Sequence, residues 1–217
     1  MRNEPTVFVI DDDAAVRESL AGLLEAAGHA ARAYGSTEAF LEDFRPDQPG
    51  CLLLDVRMPG LDGLGLQREL QRRAVTLPII MITGHGDAAA ARSGFKMGAL
   101  DFIEKPCDCA ELVQAVEVAL RRDAAARARA ASQAAAAARL ARLSSREREV
   151  LELVLAGLRN KQIARRLGIA ERTVEDHRAS IMRVLGVASV PELVRLAEIQ
   201  ARLVVAEAIT GHVEDHD

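Results

Sequence analysis

The sequence predicts an α/β domain built on a doubly wound, five-stranded parallel sheet. A helical linker and an all-α, four-helix helix-turn-helix domain follow it. Three observations carry this. Short apolar runs without alternation, Thr6-Val7-Phe8-Val9-Ile10, Cys51-Leu52-Leu53-Leu54, Pro78-Ile79-Ile80-Met81-Ile82 and Leu100-Asp101-Phe102-Ile103, read as strands buried on both faces. Helical patterns follow the strands at 14–27, 36–44, 63–73, 87–97 and 108–122, punctuated by Gly28, Gly35, Gly50, Gly84 and Gly98, which gives five βα units. Beyond residue 140 no strand pattern remains.

Taken in order, each apolar run of the first half ends at a polar residue. The first meets Asp11, Asp12 and Asp13, the second Asp55, the third Thr83, and the fourth Glu104, Lys105 and Pro106. Asp13 precedes Ala14-Ala15-Val16-Arg17 and reads as a helix N-cap. Ligands of open α/β sheets bind beyond the carboxyl ends of the strands, so these side chains are expected on one rim. From Arg121 to Ala141 the composition shifts to Ala and Arg, the best helix formers, and the last helix of the sheet domain is expected to run on as a stalk. Leu143-Ser144-Ser145-Arg146-Glu147 is a capped helix start, followed by Glu149–Leu155 up to Gly157. Asn160 opens a short helix that Gly168 stops. Ala170-Glu171-Arg172-Thr173 begins a third helix running to Leu185 and Gly186, and Pro191 lies near the start of a fourth. Two helices joined by a short Gly-containing turn are the mark of a helix-turn-helix. The expected boundaries are 1–122, a linker over 123–140, a DNA-binding module over 141–205, and an acidic tail over 206–217.

The charge supports the division. The chain of 217 residues carries −4 overall, but residues 1–122 hold 13 Lys/Arg and 19 Asp/Glu, while 140–205 hold 12 and 8. An acidic first half suits a metal site and a basic second half suits a polyanion. No apolar stretch reaches the roughly 18 residues of a membrane span, and no signal pattern opens the chain, so a cytoplasmic protein without a membrane partner is expected. Cys51, Cys107 and Cys109 are an odd set without a disulfide framework. Cys107-Asp108-Cys109 lacks the further ligands a metal or redox sensor needs, so its role stays open.

The rim has a chemistry. Asp11 and Asp12 offer hard oxygen ligands to Mg²⁺. Asp55 is a carboxylate nucleophile able to form an aspartyl-phosphate. Lys105 brings a compact positive charge to a phosphate oxygen, and Thr83 a small hydroxyl. Each alone would be an ordinary cap or loop residue; all four at successive strand ends form a constellation.

On these residues the chain resembles a two-component response regulator. Asp11-Asp12, Asp55 with Met58-Pro59-Gly60, Thr83-Gly84-His85-Gly86 and Lys105-Pro106 make residues 5–122 similar to the receiver domain, and Ile82–Asp87 with Asp101–Pro106 is similar to the FixJ subfamily. Residues 141–205 resemble the LuxR-type (NarL/FixJ) helix-turn-helix through Leu143–Leu151, Gly157, Asn160-Lys161-Gln162-Ile163-Ala164, Thr173–Arg178 and Leu193. The resemblance implies a flavodoxin-like strand order 2-1-3-4-5 and a phosphoacceptor at Asp55. It implies Mg²⁺ held by Asp11, Asp12, Asp55 and the Arg57 carbonyl, a phosphoryl contact at Lys105, a switch pair Thr83 and Phe102, and a cis Lys105–Pro106 bond. Its partners would be a sensor histidine kinase, promoter DNA, RNA polymerase and, on phosphorylation, a second copy of the chain. It would be a transcription regulator rather than an enzyme, catalysing only its own phosphoryl uptake and loss. Two departures stand out: Cys107 where the subfamily usually has Phe, and Gly94 within the fourth helix, on the face where the family dimerises.

The third helix of the second domain should lie in the major groove. Thr173, Arg178 and Arg183, with Asn160 and Lys161, are placed for phosphates or base edges, and His177 for packing or a phosphate. Glu175 and Asp176 are unusual on such a helix. They are either first-turn acids favoured by the helix dipole or acceptors for cytosine N4. Two rivals remain at this point. A haloacid-dehalogenase-like phosphatase also uses an Asp nucleophile, but Asp11-Asp12-Asp13-Ala14-Ala15 lacks the Thr/Val its motif wants. A phosphorylation-independent DNA binder with a vestigial receiver would not need the complete acidic site.

Overall fold

The computed structural model describes residues 4–84 and 88–197, without the side chains of 88–91. His85, Gly86, Asp87, the end of the expected DNA-binding module after residue 197 and the acidic tail lie outside the described residues. The chain divides into two compact units, Met1–Arg127 and Ala128–Asp217.

The first unit alternates β1 (Thr6–Ile10), α1 (Ala14–Ala26), β2 (Ala30–Tyr34), α2 (Thr37–Asp43), β3 (Gly50–Asp55), α3 (Gly63–Arg72), β4 (Ile79–Thr83), α4 (Ala88–Lys96), β5 (Asp101–Glu104) and the first part of α5 (Cys109–Ala141), whose residues after Arg127 belong to the second unit. All strand pairs are parallel, in the order β2-β1-β3-β4-β5. The lack of alternation in the apolar runs has its reason here. Phe8, Ile10, Leu52, Leu54 and Met81 pack on one face with Phe40 and Phe44 and with Leu66 and Leu70 of α3. Val7, Val9, Cys51, Leu53, Ile80 and Ile82 pack on the other with Leu20 and Leu24 of α1 and Leu112 and Val116 of α5. Fully burying one such side chain is worth about 1.5–3 kcal/mol, so a polar residue inside these runs would be costly.

β2 differs. It is a half-exposed edge strand reading Ala-Ala-Arg-Ala-Tyr. Helix starts are set by Asp13, Ser36 and Asp62, whose side chains accept from the first-turn N–H groups. The far end of α4 is closed by α3: Gln67 Nε2 donates to the carbonyls of Gly94 (3.2 Å) and Met97 (3.0 Å), and Gln71 donates to Met97 as well. Gly94 has a structural use. A Cβ there would meet the Phe102 ring at 2.4 Å, so the glycine makes room for that ring.

In the second unit α6 (Ser145–Leu155), α7 (Asn160–Leu167) and α8 (Glu171–Leu185) precede a helical stretch over 190–197. Ser144 and Glu147 form the expected capping box. Leu143, Val150, Leu151, Val154, Ile163, Val174, Ile181, Leu185 and Leu193 make one core. Gly168 ends α7 at φ 65°, a left-handed conformation that glycine adopts without a Cβ penalty, and so sets the turn into α8.

Candidate functional site

The parallel register assembles the rim. Ile10 pairs with both Tyr34 and Leu54, Asp55 with Ile82, and Thr83 with Glu104. Asp11 follows β1, Asp55 ends β3, Thr83 ends β4 and Lys105 follows β5, so all four leave the sheet at one level. Backbone bonds hold this level: Asp11 N–H donates to the Tyr34 carbonyl, Val56 N–H to Ile82, and Lys105 N–H to Thr83.

At the centre is Lys105. Its ammonium donates to Asp11 Oδ2 and Asp55 Oδ2, each at 2.6 Å. The second oxygen of each carboxylate is also held. Asp11 Oδ1 accepts from Asp13 N–H and Asp55 Oδ1 from Arg57 N–H, both at 3.0 Å. Arg17 donates to the Asp11 carbonyl. Asp11 and Asp55 are buried, and Asp12 is exposed at the mouth. Burial pushes the Asp11 carboxyl up, and the Lys105 ammonium offsets this only in part. Burial pulls Lys105 down, but the bonds from two carboxylates outweigh it and its net shift is upward. One ammonium is thus shared between two carboxylates, and the buried Asp11 carboxylate is left under-compensated.

That imbalance is what a cation site needs. Asp11, Asp12 and Asp55 each offer an oxygen, all within 4.8 Å of one another. The donor set is all hard oxygen, the kind that Mg²⁺ or Ca²⁺ takes. Thr83 is buried beside it, its hydroxyl donating to the Gly84 carbonyl. Phe102 does not reach the cluster. Its ring lies tilted against Phe95 with centroids 4.7 Å apart, over Gly94. Lys105–Pro106 is cis, as the resemblance implied.

The proposed DNA-facing residues lie on α7 and α8. Lys161, Glu175, Asp176 and Arg183 are exposed; Asn160, Thr173, His177 and Arg178 are half-buried. Arg178 follows Val174 by four residues and precedes Leu185 by seven, so it borders the buried stripe, apart from Arg183. Reading the sequence missed Arg172. It lies one turn before both acids, at 3.2 Å from Glu175 and 3.7 Å from Asp176, and Asp176 and Arg183 lie on its face. The i, i+3 and i, i+4 spacing to Glu175 and Asp176 was the available signal. No helix among the described residues is long and apolar enough to cross a membrane.

A flavodoxin-like sheet with a lysine-bridged acidic rim, coupled to a helix-turn-helix, defines a receiver joined to a DNA-binding domain. Residues 7–117 match the family described as "Response regulator receiver domain", and residues 141–197 match "Bacterial regulatory proteins, luxR family". The chain is 49% identical over 191 residues to the transcriptional regulatory protein FixJ of Azorhizobium caulinodans, covering 88% of this chain and 90% of that one. It is 41% identical to the response regulator protein TodT of Pseudomonas putida, covering 88% and 85%. Among solved structures, the response regulator StyR aligns with TM-score 0.84 at 44% identity over 90% of this chain and 98% of that chain. Full-length FixJ from B. japonicum aligns with TM-score 0.57 at 43% identity over 92% and 98%. The chain belongs to the response regulator family, in its FixJ-like branch. It is a phosphorylation-activated transcriptional regulator, and neither the phosphatase nor the vestigial-receiver reading is favoured. Regulators of this type are DNA-binding proteins rather than enzymes, and membership implies a sensor kinase and DNA as partners.

Proposed function

We propose that Asp55 takes a phosphoryl group from the phosphohistidine of a sensor histidine kinase. A carboxylate oxygen of Asp55 attacks phosphorus, the phosphorus–nitrogen bond breaks, and the imidazole keeps the electron pair. Asp11, Asp12, Asp55 and the Arg57 carbonyl would hold Mg²⁺, which supplies charge neutralisation for the transferring group. Lys105 gives up Asp55 Oδ2 and bonds a phosphoryl oxygen, while Thr83 bonds another. The observation that carries this reading is the Lys105 ammonium poised between Asp11 and Asp55 at 2.6 Å from each.

The group's new oxygens draw in Thr83, which vacates space beside β4. Phe102 then leaves its seat on Gly94 and turns inward, and the α4–β5 surface changes shape. This favours a homodimer, whose helix-turn-helix modules occupy promoter half-sites and engage RNA polymerase from the cytoplasm. Asn160, Lys161, Thr173, His177, Arg178 and Arg183 serve phosphates or base edges, and Glu175 and Asp176 tune sequence preference. The only chemistry catalysed is uptake and loss of the chain's own phosphoryl group. A DNA footprint with and without a small-molecule phosphodonor tests the reading. Protection should appear or extend when the donor is added, and a footprint indifferent to the donor would contradict it.

A further inference from the structure

We propose that Asp123 and Arg127 form a latch that couples α5 to the strand bearing Asp55, and that phosphorylation reaches the DNA-binding unit through it. The proposal rests on Asp55 being the acceptor. Asp123 is buried at 4% exposure in a stretch of α5 whose neighbours Ala124, Ala125 and Ala126 are exposed. Its Oδ2 accepts from the N–H of Gly50 at 3.0 Å, and both its oxygens accept from Arg127 Nε, at 3.0 and 2.8 Å. Arg127 spreads its remaining nitrogens over three consecutive carbonyls: Nη1 to Asp47 at 2.9 Å, and Nη2 to Gln48 at 2.6 Å and Pro46 at 3.5 Å.

These acceptors are not arbitrary. Gly50 is the first residue of β3 and Asp55 its last. Residues 46–48 lead into that strand. The latch therefore grips one end of the strand whose other end receives the phosphoryl group. An exposed i, i+4 pair on a helix contributes little. Here the carboxylate is withdrawn from water, and losing Arg127 would leave it buried with one partner. As a coupling element the pair would have to close or open as a unit, because a half-broken pair leaves a buried charge without its partner. Beside the pair Ala124, Ala125 and Ala126 are exposed, so in this turn of α5 it is Asp123 and Arg127 that reach the residues leading into β3.

The test uses the full chain and a duplex chosen by binding-site selection with the parent protein. DNA affinity is measured at matched salt with and without acetyl phosphate, for the parent, Arg127→Ala, Arg127→Gln and Asp123→Asn. Phosphoryl uptake is read by intact mass in parallel. The variants should take up the phosphoryl group as the parent does and bind DNA equally before phosphorylation. Their phosphodonor-induced gain in affinity should be smaller than the parent's by roughly 2–30-fold. A full gain in the variants overturns the latch alone. Loss of phosphoryl uptake in all three would reduce the pair to a support of the fold and also overturns the coupling role. A parent that takes up phosphate without gaining affinity removes the acceptor reading, and the latch with it.

Discussion

Asp11 and Lys105 show how the site stores its purpose in a charge imbalance. Burial raises the Asp11 carboxyl, so its ionised form costs stability in the folded chain. The sign follows from linkage. A carboxyl raised on folding contributes stability while protonated, and that contribution is lost as pH rises through its folded value. Asp11→Asn should therefore stabilise the metal-free protein at neutral pH. The gain should shrink on acidification, and urea unfolding in chelator at several pH values reads it. A destabilised Asn variant would mean that Lys105 outweighs burial. Lys105→Ala should keep divalent-cation binding but uncouple phosphorylation from dimerisation; sedimentation with phosphodonor separates that from loss of the site. Gly94→Ala trades a helix-propensity gain of about 1 kcal/mol against an overpacking cost of about 1–3 kcal/mol at the Phe102 ring. A net loss of stability is expected, and a more stable variant would show the ring free to move aside.

Among the elements, α6 gives the clearest stability prediction. Glu147 accepts from the Ser144 N–H at 2.9 Å and from its hydroxyl at 2.8 Å, completing the capping box. The Ser180 hydroxyl and the Ser144 bonds hold its carboxyl down at about 2, against the usual 4.5. Stability from a lowered carboxyl is present above the unfolded value and lost as pH falls through the folded one, here between 4.5 and about 2. Glu147→Gln should flatten the acid loss of helix-turn-helix stability across that window, followed by circular dichroism; an unchanged acid profile would contradict it. Ser144→Ala should cost about 1 kcal/mol.

The legibility of elements followed burial. β1, β3 and β4 were legible as apolar runs because both their faces are covered. β2 was not, because an edge strand of Ala-Ala-Arg-Ala-Tyr buries too little to leave a pattern. The rim residues were legible because strand ends are marked by an abrupt change from apolar to polar. The Asp123–Arg127 pair was not, since an acid and a base four apart on an Ala-rich helix read as solvent-facing. Only the fold reveals that Gly50 and the 46–48 carbonyls approach them. Gly94 looked like a helix defect until its neighbour Phe102 was known.

For the whole molecule, an acidic receiver and a basic DNA-binding module divide the work between phosphoryl chemistry and polyanion binding. Lys161→Ala should weaken binding to all sequences alike and lower the salt slope by about one unit. Glu175→Ala distinguishes two roles. If Glu175 reads a cytosine, preference at one base pair relaxes by about 1–3 kcal/mol. If it only partners Arg172 and the helix start, affinity rises for all DNA with preference unchanged, and binding-site selection at matched salt decides. The central claim, that Asp55 is the acceptor, has the most direct test in an intact mass measurement on the parent and Asp55→Asn after acetyl phosphate and Mg²⁺. The parent should gain the mass of one phosphoryl group and Asp55→Asn none, while both retain the same circular dichroism. A phosphoryl adduct on folded Asp55→Asn would contradict the account.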